Sequence, residues 1–94
     1  MYIFSVNAKA KKDRDDGIKE GQVVPFIVYI NFIDLFGAEQ LCKVYLMRAG
    51  FTEIEVEKRK LVPSSLTDDP RVVAADKAMA EAIKSGYMIQ MFDE

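Results

Sequence analysis

Ninety-four residues, half of them hydrophobic and 30% charged, have the balance of one globular domain and not of a disordered polymer. With 13 basic against 15 acidic side chains the net charge is −2, so the basic excess of a general phosphate binder is missing and nucleic acid is disfavoured as a partner. No histidine occurs, which removes the commonest neutral-pH base, the Ser–His and Cys–His nucleophile pairs and the most frequent transition-metal ligand.

Cys42 is the single cysteine, so no intramolecular disulfide forms. That usage suits a reducing compartment, and the cytoplasm is the expected location. The N-terminal apolar stretch is short and is followed, not preceded, by Lys9, Lys11 and Lys12, unlike an export signal. The longest apolar run, residues 23–30, contains Pro25 and is far too short to span a bilayer, so no membrane insertion is expected. A chain of this size buries roughly 60–65% of the surface its unfolded form exposes, enough to fold without staples. A single α+β domain over residues 1–94 is the expectation.

In chain order, residues 2–11 alternate, with Tyr2, Phe4, Val6, Ala8 and Ala10 on one side and Ile3, Ser5, Asn7, Lys9 and Lys11 on the other, which predicts a strand with one wet face. Residues 12–21 are charged and hold two glycines, a loop or long hairpin connection. Residues 22–33 are rich in Val, Ile, Phe and Tyr and read as a strand that is apolar on both faces, hence central or covered. Asp34 is a plausible N-cap for a helix over 35–49, with Leu35, Ala38, Leu41, Cys42, Tyr45, Leu46 and Ala49 at helical spacing and Gly50 as the stop. Residues 51–62 return to strand, with Ile54 and Val56 facing one way and Glu53, Glu55, Glu57 and Arg59 the other. After a loop at 63–68, Asp69 caps and Pro70 opens a second helix over 70–85 that Gly86 ends, and residues 87–92 form a last short strand.

The order is β-β-α-β-α-β. The alternation of the third strand predicts that one sheet face stays open, so both helices are expected on the other, as a two-layer sandwich with a four-stranded sheet and two helices on one face. Each helical segment can act as a right-handed crossover between parallel strands. A ferredoxin-like arrangement, with helices linking non-adjacent strands, is the close alternative.

Recognisable catalytic machinery is absent from this pattern. The five glycines are too widely spaced for a dinucleotide turn or a P-loop. The run Asp13-Arg14-Asp15-Asp16-Gly17 misses a calcium loop in register, since Gly17 at the sixth position would put Lys12 at the first ligand. One cysteine and no histidine leave carboxylates, which hold transition metals weakly, so no metal and no cofactor are expected. Cys42, on the inner stripe of its helix, reads as core packing.

The expected open face is more apolar than a solvated sheet needs to be. It brings together Ile27, Tyr29 and Asn31 of the second strand, Glu53, Glu55 and Glu57 of the third and Met88 of the last, and these seven are the candidate binding residues. They point to a small non-enzymatic interaction protein that self-associates as a homodimer or docks on a protein partner, in the manner of adaptor or immunity-type proteins. The alternative is a small-molecule or RNA-binding module stacking on Tyr29 and Phe92, and after it a small enzyme using carboxylates.

Overall fold

The structure, a computed structural model, describes residues 1–92. Alternation carries β1 (Tyr2–Ala10) and β2 (Val23–Ile30). Phe4, Val6, Ala8 and Ala10 of the first are buried, as are Val24, Phe26, Val28 and Ile30 of the second. The two pair as an antiparallel hairpin, Tyr2 opposite Ile30 and Lys9 opposite Val23. Their connection is tied down by its own acids: the Glu20 amide donates to Asp13 Oδ1 (2.8 Å). Arg14 leaves the loop to donate to the Ala49 carbonyl (2.6 Å), its guanidinium 4.8 Å from the centre of the Phe51 ring. Of the acidic run, Asp13 and Asp16 brace the loop, Asp16 by accepting from the Ile18 amide (3.4 Å) and from Arg14 (3.3 Å).

α1 (Leu35–Arg48) begins where Asp34 accepts a hydrogen bond from the Gly37 amide (2.8 Å). Its buried stripe, Ala38, Cys42 and Leu46, packs on the buried face of the hairpin, and Phe51 joins them edge-on to Phe26 (4.8 Å between ring centres). β3 (Phe51–Leu61) lies antiparallel against the free side of β1. Both β2 and β3 oppose β1, so they are parallel to each other, and α1 crosses from one to the other over β1.

A single helix over 70–85 does not form. The segment gives α2 (Ser64–Thr67), α3 (Pro70–Ala75) and α4 (Lys77–Ser85) before β4 (Tyr87–Met91). Asp76 causes the break between the last two helices: its backbone is extended (φ −116°, ψ 98°) and its side chain takes the Met79 amide (3.0 Å), so it ends one helix and caps the next. β4 pairs antiparallel with β2, giving the sheet order β3-β1-β2-β4 with every neighbouring pair antiparallel. The β3-to-β4 connection thus runs from one edge to the other and joins antiparallel strands, not parallel ones. Both helical connections, β2 to β3 and β3 to β4, link non-adjacent strands, as in the ferredoxin-like alternative, while the two central strands are the β1–β2 hairpin.

The expectation of two helices on one face does not hold. α1 covers the face of Phe4, Val6, Phe26 and Val28, but the buried residues of α4 (Ala78, Met79 and Ala82) lie outside that core. Tyr29, whose side chain points to the opposite face, donates its hydroxyl to Asp76 at the start of α4 (3.3 Å). α4 therefore lies over the other face, on the β2–β4 side. β2 is apolar on both sides because it is central and covered from both. No helix among the described residues is long and apolar enough to cross a membrane.

Candidate functional site

The seven residues singled out by pattern fall into two groups. Ile27, Tyr29 and Met88 are half-buried on the α4 side, with Tyr29 opposite Met88 in the ladder, and Asn31 lies exposed just past β2, its amide bonded to the Gly86 carbonyl (2.9 Å). Glu53, Glu55 and Glu57 are exposed on the far edge strand, with β1 between them and β2. Two of the three have polar partners: Lys9 Nζ lies 2.8 Å from Glu53, and Asn7 donates to Glu57 (2.6 Å). This half of the face is a charged and polar strip, not an apolar surface.

Two register shifts in the β1–β3 ladder, with Glu53 at a positive φ of 48°, re-aim the end of β3. Lys58 and Lys60 come opposite Ser5 and Ile3, on the glutamate side. Arg59 comes opposite Phe4, on the α1 side, and does not continue the glutamate row. There it binds Glu39 of α1, which Lys43 also approaches (3.8 Å). The Arg59 hydrogen bond holds the Glu39 carboxyl below its usual range. The Glu39–Lys43 spacing of four was readable as a helix pair; the Arg59 contact depends on a bulge that no alternation pattern reveals.

Two side chains, Cys42 and Tyr29, are held in their protonated forms by their surroundings. Cys42 is fully buried, and burial pushes its thiol up to about 12. Burial, then the charge and hydrogen bond of Asp76, raise the Tyr29 phenol, which stays a donor. Tyr29 and Phe92 lie apart: Phe92 opposes Pro25, four residues along β2 from Tyr29 and about 13 Å away by strand rise. An open concavity of about 500 Å³ is lined by Asp69, Arg71, Val72, Ala75 and Asp76, with Asp69 and Arg71 paired to each other (3.2 Å). Among the described residues, no cluster of three or more acids or cysteines is placed to hold a metal ion.

The largest departure from the usual distribution of apolar side chains lies elsewhere, at the corner where β2 passes into α1. Ile33 is 91% exposed and Phe36 75%, with Phe32 at 40% and Leu35 at 41%. The backbone carrying them is held firmly. Asp34 caps the helix between them, the Asn31 amide is bonded to Gly86, and the Phe32 ring lies so close over Gly37 that a Cβ there would collide with it. Leu61, also exposed, ends β3 on the same end row of the sheet, Leu61–Tyr2–Ile30. Pattern reading assigned Phe32 and Ile33 to the strand; the usable signal was four large apolar residues packed around a capping Asp34, which no single helix or strand face can bury together.

Comparison with protein-family models, curated proteins and solved structures gives no match for the chain. The functional argument therefore rests on the geometry above.

Proposed function

We propose that the chain is a non-enzymatic interaction protein that docks a protein partner through the apolar corner between β2 and α1. The observation that carries this reading is the exposure of Phe32, Ile33, Leu35 and Phe36 on a capped, closely packed backbone. Contiguous exposed apolar groups on a small domain mark contacts with other chains. Burying side chains of this size gains roughly 1.5–3 kcal/mol each, so Ile33 and Phe36 suffice as anchors. The corner takes over the role first given to Ile27, Tyr29 and Met88, because α4 already shields them. An enzyme reading is weakened by the lack of histidine, the suppressed Cys42 thiol and the engagement of Glu53 by Lys9 and of Glu57 by Asn7.

A photoreactive phenylalanine placed at position 33, and separately at Glu20 in the β1–β2 loop at the other end of the sheet, tests the assignment in cells that make the protein. A discrete adduct is expected from position 33, none from position 20, and loss of the first on Phe36→Asp. Because both side chains are exposed, Ile33→Asp and Phe36→Asp should change folding stability by no more than about 0.5 kcal/mol. No adduct at position 33, or equal adducts at both positions, overturns the reading.

A further inference from the structure

The two edges of the sheet are built differently. β3 is protected: Glu53, Glu55, Glu57, Lys58, Arg59 and Lys60 line it, and two register shifts twist it. Charges and bulges of this kind keep an edge from pairing with another strand. β4 has neither device. From Gly86 to Phe92 the chain carries no charge and no proline, and the β2–β4 register runs unbroken from Tyr87 opposite Ile30 to Met91 opposite Phe26.

The phase of that ladder decides which backbone groups are free. The Asn31 amide donates to Gly86, and the Phe92 amide to Pro25, both at 2.9 Å. Hydrogen-bonded pairs alternate along an antiparallel ladder, so Gly86, Met88, Gln90 and Phe92 turn their backbone groups toward β2. Tyr87, Ile89 and Met91 turn theirs outward, and among the described residues no other group bonds them from that side. Their side chains share the α1 face, where Tyr87 stacks on Tyr45 (3.9 Å between ring centres) and Met91 is exposed.

We propose that β4 pairs antiparallel with β4 of a second copy about a two-fold axis at Ile89, joining two four-stranded sheets into one of eight strands. Ile89 then opposes Ile89 of the second copy and Tyr87 opposes Met91, and all three outward residues on each strand give and receive a backbone hydrogen bond. The occupant is a second copy because an uncharged strand complements an uncharged strand. Self-pairing brings no like charges together here, whereas β3 laid on β4 would bury its acids and lysines against apolar side chains. This inference uses a surface separate from the apolar corner and does not depend on it.

Sedimentation equilibrium of the full chain from micromolar to near-millimolar concentration tests it, together with hydrogen exchange read amide by amide. A reversible dimer is expected, with the Tyr87, Ile89 and Met91 amides gaining protection as concentration rises. Met91→Pro removes an outward donor without touching the β2 ladder and should raise the dissociation constant at least about tenfold, while Phe36→Asp leaves it unchanged. A wild type that stays monomeric overturns the proposal, and so does a dimer whose three amides exchange as they do in dilute solution. A Met91→Pro variant that still folds by circular dichroism and dimerises as before also overturns it.

Discussion

Burial and charge act in the same direction on Cys42. The thiol has no solvent exposure beneath α1, burial is the larger cause of its raised pKa, and the Glu39 carboxylate adds to it while Lys43 opposes. At a pKa of about 12, the thiolate at about pH 8 is on the order of one part in ten thousand, and only the thiolate attacks an alkylating agent. Iodoacetamide labelling followed by mass spectrometry should therefore be slower in the native protein than in urea by at least about a thousandfold. A native rate close to that of the unfolded chain would contradict both the burial and the charge argument. Gly37 is constrained in another way: it needs no special backbone angle, only the missing Cβ that lets the Phe32 ring close over the first turn of α1.

Among the elements, the Asp76 junction concentrates the most function in one side chain. It caps α4 through the Met79 amide and receives the Tyr29 hydroxyl from the sheet, so it fixes both where the helix begins and which face it lies on. Asp76→Ala should cost about 0.5–2 kcal/mol in urea unfolding, the usual range for a lost N-cap, and Asp76→Asn should recover part of it by keeping the cap acceptor. Equal losses in the two variants would argue against capping as the cause. This junction also marks where pattern reading stops. β1, β2 and α1 were legible because one uninterrupted period runs through each and the caps at Asp34 and Gly50 are local signals. The apolar stripe of 70–85 reads as one helix because a break by side-chain capture leaves the spacing intact. In β3 the alternation is visible, but each bulge reverses the phase, so Arg59 crosses to the α1 side while the residue types look continuous.

At the scale of the whole molecule, the covering of the sheet is lopsided, with α1 on one face and α4 on the β2–β4 half of the other. No local signal could specify this, since the connection from β3 to β4 spans the full width of the sheet and can pass over either face. Of the candidate site, the three glutamates lie together on the exposed edge strand, but Tyr29 is engaged by Asp76 and the exposed corner is hidden inside an apparent strand. The same lopsidedness places two titrating contacts on opposite faces, and each governs one limb of the pH profile. Glu39, held below its ordinary 4.5 by Arg59, contributes stability that is present above that value and lost as pH falls through the folded-state pKa. Tyr29, raised above 10.0 by burial and then by Asp76, contributes stability that is complete below 10.0 and lost as pH rises through its folded-state pKa. Tyr29→Phe removes one part-buried hydrogen bond and should lower stability by about 0.5–1.5 kcal/mol at neutral pH. Measured by urea unfolding, the gap between wild type and Tyr29→Phe should stay level through neutral pH and close above pH 10, where the wild-type phenol ionises beside the Asp76 carboxylate. The gap between wild type and Glu39→Gln should instead close on the acid side, below pH 4.5. A Tyr29→Phe gap that persists unchanged into strong alkali would mean that the hydroxyl does not face Asp76, and with it the placement of α4 over this face would fail.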